Sequence, residues 1–72
     1  MNSIEVLSVV ALIHDLPDRG LVRGQVGTVV EVLAPGVYEV EFSDYSGVSY
    51  ASLALTPDDL MRLHHQRVHE AA

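Results

Sequence analysis

Two stretches, Val26-Gly-Thr-Val-Val-Glu-Val-Leu33 and Val37-Tyr-Glu-Val-Glu-Phe-Ser43, flank Ala34-Pro35-Gly36 in the middle of a 72-residue chain. Both alternate β-branched or aromatic residues with polar ones, the period-two pattern of a strand with one buried face. Between them a proline and a glycine supply a turn, with Gly36 suited to a left-handed position. A three-residue connection that sets Leu33 against Val37 puts Val32 opposite Tyr38, Val30 opposite Val40 and Thr28 opposite Phe42 on the inner face. Glu31 then meets Glu39, and Val29 meets Glu41, on the outer face. Turn length and side-chain alternation agree, which is the consistency a hairpin demands.

Working outward, Val9-Val-Ala-Leu-Ile13 reads as a strand that enters a long polar loop from His14 to Gly24. Pro17, Gly20 and Gly24 make that loop a poor helix. Beyond the hairpin, Asp44-Tyr-Ser-Gly47 is a turn signature, and Val48 to Leu55 is a further strand with Ala51, Leu53 and Leu55 facing inward. Thr56-Pro57-Asp58-Asp59 opens a helical turn, with threonine as cap, proline at the first position and acids near the positive end of the dipole. Met61 to His65 reads either as a last strand or, through Leu60, His64 and Val68, as one stripe of a longer helix. The expected fold class is therefore all-β, a small barrel of about five strands with one short helical turn near the C-terminus. Closure of so small a sheet reduces its exposed edges. Residues 1–65 form the expected domain, and 66–72 a flexible tail.

The glycines lead into valines, not into a helix, and the chain has no lysine. A phosphate loop of the Walker type needs that lysine, and the dinucleotide fingerprint needs a strand, a turn and a helix in that order. Gly24 and Gly27 are better read as backbone positions, one ending the loop and one allowing a bulge or close approach as the strand begins.

On Val9-Val-Ala-Leu, Asp15-Leu-Pro, Gly20-Leu, Arg23-Gly24-Gln-Val-Gly27-Thr-Val-Val-Glu-Val, Gly36-Val-Tyr-Glu-Val-Glu-Phe42 and Asp59-Leu60 the chain resembles a bacterial family of short SH3-like barrel proteins of unknown function. The match spans roughly residues 5 to 63 and implies the fold, with no catalytic residues to carry over. The central hairpin is also similar to the KOW motif of ribosomal proteins and transcription elongation factors, whose glycine-centred loop meets RNA or protein. RNA-binding versions of that motif are usually basic, and this chain is not.

Ten acidic residues face four arginines, for a formal net charge of −6. Nucleic-acid binding draws on lysine and arginine displacing phosphate counterions, so this balance ranks nucleic acid low. An acidic surface keeps a small protein soluble, or it meets a basic partner. Glu31, Glu39 and Glu41 on the outer face of the hairpin, with Asp44 at its end, are the candidate partner-binding residues. Arg19 and Arg23 on the long loop are the candidates if the partner is RNA. Self-association through Val29, Leu33 and Val37 is a third reading, since a domain this small gains from a partner.

There is no cysteine, hence no disulfide and no thiol nucleophile. No apolar run reaches the roughly 20 residues of a membrane helix, and no basic leader precedes Ile4-Glu-Val-Leu7, so cytoplasmic residence is expected. His65 and His69 stand at the i, i+4 spacing of a helical zinc pair, weak candidates without a third ligand. No metal or other cofactor is expected. His14 beside Asp15, with Ser43, Ser46, Ser49 and Ser52 elsewhere, suggests a hydrolase triad only by imagination, and a small barrel has little concave volume for a substrate. A proline-peptide groove is equally weak, because the chain has no tryptophan and only three tyrosines and one phenylalanine. The function read from the sequence is a non-catalytic protein-interaction module, possessing antitoxin-like or immunity-like character, with a KOW-like RNA-associated module as the alternative.

Overall fold

Alternation of apolar and polar side chains favours strands, and among the described residues every regular element is a strand or a single helical turn. The structure, a computed structural model, describes residues 4–67. Five strands, β1 (Val9–Leu12), β2 (Val26–Ala34), β3 (Val37–Ser43), β4 (Ser49–Leu55) and β5 (Leu60–Arg62), form one antiparallel sheet in the order β4-β3-β2-β1-β5. Two 3₁₀ turns, Pro17–Arg19 and Pro57–Asp59, complete the fold. This is the all-β, barrel-like domain of five strands that the sequence implies. Its sheet is open, with β4 and β5 as the two edges.

The inner face buries Val10, Leu12, Leu21, Val29, Val40, Phe42, Leu53, Leu55 and Leu60 in one cluster. Tyr38 and Ala51 pack against it from half-buried positions. Phe42 is the largest side chain that is wholly buried, and deleting such a ring costs about 3–5 kcal/mol in a core of this kind.

The hairpin differs from the expected register in a way that changes which residues are inside. Val32 pairs with Tyr38 and Glu31 with Glu39, as the turn implies, but Val29 then pairs with Val40, Thr28 with Glu41 and Gly27 with Phe42. Val30 is an extra residue in β2, a bulge, and so is Leu33 beside the turn. The connection itself is shortened to Pro35-Gly36, with Gly36 at φ 74°. The bulge at Val30 reverses the inside and outside of β2, so Val29 has no exposure and Val30 is 41% exposed. The expected pairings of Leu33 with Val37, Val30 with Val40, Thr28 with Phe42 and Val29 with Glu41 are therefore absent. A self-associating patch of Val29, Leu33 and Val37 also fails as drawn, because Val29 is in the core.

Gly27 explains why β2 can lie so close to β3. A Cβ added there would come within 2.8 Å of Val40 Cγ1 and 3.0 Å of both Phe42 Cδ2 and the Glu41 carbonyl oxygen. The close approach read from the sequence is real. Gly24, at φ 93°, ends the long loop in the left-handed region.

The long loop is less irregular than its composition suggests. Pro17 starts a 3₁₀ turn, Gly20 closes it at φ 68°, and the Leu16 and Leu21 backbones bridge across it. This delivers Leu21 into the core at 3% exposure. At the other end, Leu60–Arg62 pairs with β1, so the last-strand reading of Met61 to His65 holds for its first part. Residues 60–67 contain no helix.

Gly27→Ala is expected to destabilise the domain by about 1–3 kcal/mol, the usual penalty for forcing a methyl group into a filled space. Urea denaturation measures it. An unchanged midpoint would show that β2 and β3 do not approach as described.

Candidate functional site

Residues paired across neighbouring strands share a face, so the register assembles the outer surface without further assumption. One row runs Glu31, Glu39, Ala54 across β2, β3 and β4. The next runs Val9, Thr28, Glu41, Ser52 across β1 to β4. Glu31, Glu39 and Glu41 are thus brought together, the first two directly opposite and the last two residues along β3 from its neighbour. Side chains so placed have Cβ atoms about 4.5–5.5 Å apart across the strands and about 7 Å apart along one.

No lysine, arginine or histidine stands on β2, β3 or β4 to neutralise this face. Its one internal hydrogen bond is donated by the Ser52 hydroxyl to Glu39 Oε2. Glu31 is exposed, and Glu39 and Glu41 are half-buried. The outer row is consequently a line of carboxylates flanked by small residues, Thr28, Ser52 and Ala54. Such a surface attracts cations and repels phosphate.

Asp44 belongs to a different task. Its Oδ1 accepts hydrogen bonds from the Ser46 N–H at 2.9 Å and the Val48 N–H at 3.1 Å, holding the turn that ends with Gly47 at φ 82°. The side chain mimics a backbone turn, as aspartate does at this position. Arg19 and Arg23 are both exposed on the loop between β1 and β2. The Arg23 N–H donates to Asp15 Oδ1 at 2.8 Å, and two aspartates, Asp15 and Asp18, share the loop with the two arginines. His65 lies in a bend and not on a helix, and His69 lies outside the described residues. Among the described residues no group of three or more histidine, aspartate or glutamate side chains is placed to hold a metal ion.

Among the described residues two open grooves stand out on the surface. One of about 410 Å³ lies between Leu7–Val9 and Arg62–Arg67, and takes in His64 and His65. The other, of about 810 Å³, lies where β2 begins, between Gln25–Thr28 and Ser43–Tyr45, with Tyr50 on its wall. Gln25 Nε2 donates to the Tyr50 hydroxyl at 3.0 Å across it. Among the described residues no helix is long and apolar enough to cross a membrane.

A model of the domain of unknown function DUF4926 matches residues 6–62. The chain belongs to this family. The DUF4926 match takes in all five strands and with them the whole acidic row. No curated protein and no solved structure matches the chain.

Within the DUF4926 stretch one polar junction was not legible in the sequence. His14 Nε2 lies 2.8 Å from Asp59 Oδ1, and His14 Nδ1 lies 3.0 Å from the Asp15 carbonyl oxygen. Both ring nitrogens face acceptors, so only the doubly protonated imidazolium satisfies both. Asp59 Oδ2 accepts from the Thr56 N–H at 3.1 Å and from its hydroxyl at 3.3 Å, and the Asp59 carbonyl accepts from the Ile13 N–H at 3.0 Å. The junction therefore ties the end of β1 to the turn before β5. Asp15 is the acid adjacent to His14 in sequence, yet it meets the ring through its backbone carbonyl. Asp59, 45 residues away, supplies the carboxylate. Ser43, Ser46, Ser49 and Ser52 make no hydrogen bond to this histidine, so the imagined triad is not assembled.

The same contacts move both pKa values. The Asp15 carbonyl, and after it the Asp59 carboxylate, raise His14 above its ordinary 6.5. Burial, the largest single influence on Asp59, pushes it upward, but the hydrogen bonds from Thr56 and His14 outweigh it and leave the carboxyl below its ordinary 3.8. A histidine with a raised folded value contributes stability in full below 6.5 and loses it as pH rises through that folded value. An aspartate with a lowered folded value contributes above 3.8 and loses its part as pH falls through its own. The junction is thus strongest in mildly acidic solution.

His14→Gln is expected to flatten the fall in stability that wild type shows as pH rises through the histidine range. The other three histidines are common to both proteins, so the difference between their urea midpoints isolates His14. Parallel pH profiles for the two proteins would show that the junction does not form.

Proposed function

We propose that this domain is a non-catalytic, cytoplasmic protein-interaction module whose outer face receives a basic partner. The observation that carries the reading is the pairing of Glu31 with Glu39, beside Glu41, on strands that hold no basic residue. Like charges directly opposite across a strand pair cost a few tenths to about 1 kcal/mol. A basic partner converts that penalty into attraction, and an acidic row of this kind also speeds encounter by steering. The formal charge of −6 works in the same direction. In its most concrete form the domain is antitoxin-like or immunity-like, its carboxylates standing where phosphates would lie in the basic cleft of a nuclease.

A KOW-like, RNA-associated module is the second reading, favoured by the exposure of both Arg19 and Arg23 on one loop beside the central hairpin. Asp15 and Asp18 cancel their formal charge within that loop, which weakens the attraction for phosphate. Titration with mixed RNA at low salt separates the two readings, because counterion release is most favourable there.

Glu31→Lys separates the two roles of the acidic row. It is expected to stabilise the isolated domain by a few tenths to about 1 kcal/mol by turning a like pair into an opposite one. Glu31→Lys with Glu39→Lys is expected to abolish retention of a basic protein from native extract that the wild type holds in a salt-dependent way. Equal retention by both proteins would remove the acidic row from binding.

A further inference from the structure

The two edges of the sheet are guarded very differently. β5 is three residues long, follows directly on Asp58 and Asp59, and ends in Arg62. β4 is seven residues long, Ser49-Tyr-Ala-Ser-Leu-Ala-Leu55, with no charge, proline or glycine. It sits in the longest uncharged run of the chain, Tyr45 to Pro57. Among the described residues β4 pairs on one side alone, with β3. Its outer side therefore presents unpaired N–H and C=O groups that another strand can use, in a regular array from Ala51 to Leu55 that a bulge at Tyr50 interrupts only near the start of the strand. Soluble proteins normally protect such an edge with charge, proline, a short strand or a covering segment.

We propose that β4 pairs with β4 of a second copy of this chain, antiparallel and about a two-fold axis, so that two five-stranded sheets become one continuous sheet. The charge distribution selects the occupant. Two copies of a chain with a formal charge of −6 repel over most of their surfaces, and the β4 edge is where they meet without bringing charges together. Ser52 is the central residue of β4, and an axis there sets it opposite its own counterpart, a neutral pair. Across the new junction exposed Ser52 lies beside Ser52, and exposed Ala54 is small enough to lie beside the half-exposed Tyr50 of the other copy. Glu41 stands one strand back on β3, opposite Ser52, so the two Glu41 side chains are about three strand spacings apart, roughly 14 Å, and the two Glu39 side chains, opposite Ala54, are farther apart still. That exceeds the screening length of about 8 Å at physiological ionic strength. The junction adds backbone hydrogen bonds to a domain whose size leaves its lone core marginal. It does not depend on a basic partner, and it leaves the acidic row facing solvent on both copies.

Sedimentation equilibrium across a concentration series, paired with amide hydrogen exchange, tests this on the full chain. Wild type is expected to move from one chain mass to two as concentration rises, with amides of residues 49–55 gaining protection over the same range. Ala54→Lys is expected to raise the dissociation constant about tenfold or more by placing charge on the edge, while Met61→Lys, on the exposed face of β5, dimerises as wild type does. A single-chain mass at the highest concentration overturns the proposal. So does a doubled mass with no added protection at 49–55, which would place the contact on another face. If Ala54→Lys fails to fold, the exchange pattern of the wild type decides. Protection of 49–55 that appears only when a basic protein is added, with no doubling of wild-type mass alone, would give the edge to a different strand and also overturn it.

Discussion

The extra residue at Val30 is the constraint on which the molecule depends. Without it, a β2 strand that sets Val29 against Val40 would carry Glu31 onto the inner face, against Tyr38. With it, Gly27 and Val29 face the core, Glu31 faces out, and Val32 returns to the side of Tyr38. One unpaired residue thus reconciles two half-strands whose buried faces are out of step by one position. The same step sets Gly27 against Phe42 and brings Glu31 opposite Glu39. Core packing and the acidic face are consequences of a single local geometry.

That dependence also explains how much of the fold could be read in advance. Alternation in Val37 to Ser43 and the apolar positions Leu53 and Leu55 carry an unmistakable period, and Pro35-Gly36 and Asp44 to Gly47 announce their turns. These features identify four strands and their order along the chain. The bulge has no such signature, because Val29, Val30 and Val32 are chemically equivalent and either register buries valines. Only the glycine at position 27 hinted at it, through the need for close approach, and Phe42 turned out to be the ring it approaches. Leu21 is hidden in the sequence for the opposite reason: it lies in a stretch whose composition is that of a loop, and its burial comes from a 3₁₀ turn that the proline and Gly20 define.

The candidate site divides along similar lines. Glu31 opposite Glu39 survives the change of register because that pair lies on the turn side of the bulge. Glu41 keeps its outer position because β3 itself is regular. Asp44 follows these acids closely in sequence, yet its carboxylate is occupied by its own turn. The contact between His14 and Asp59 depends on β1 and β5 lying side by side, and no local pattern encodes a pairing across that separation. Its neighbour in sequence, Asp15, was a misleading partner for a plain geometric reason: the ring meets the backbone of that residue, not its side chain.

The acidic row and the uncharged edge are then two aspects of one charge pattern. Among the five strands only β2 and β3 carry carboxylates, and β4 is kept free of charge between them and the open side of the sheet. The most direct test of the central geometry is the set of cross-strand proton contacts in an NMR spectrum of the hairpin. A bulged β2 requires contacts between Val29 and Val40 and between Glu31 and Glu39, with Val30 passed over. Contacts placing Val30 opposite Val40 and Thr28 opposite Phe42 would contradict it, and would return Val29 to the outer face.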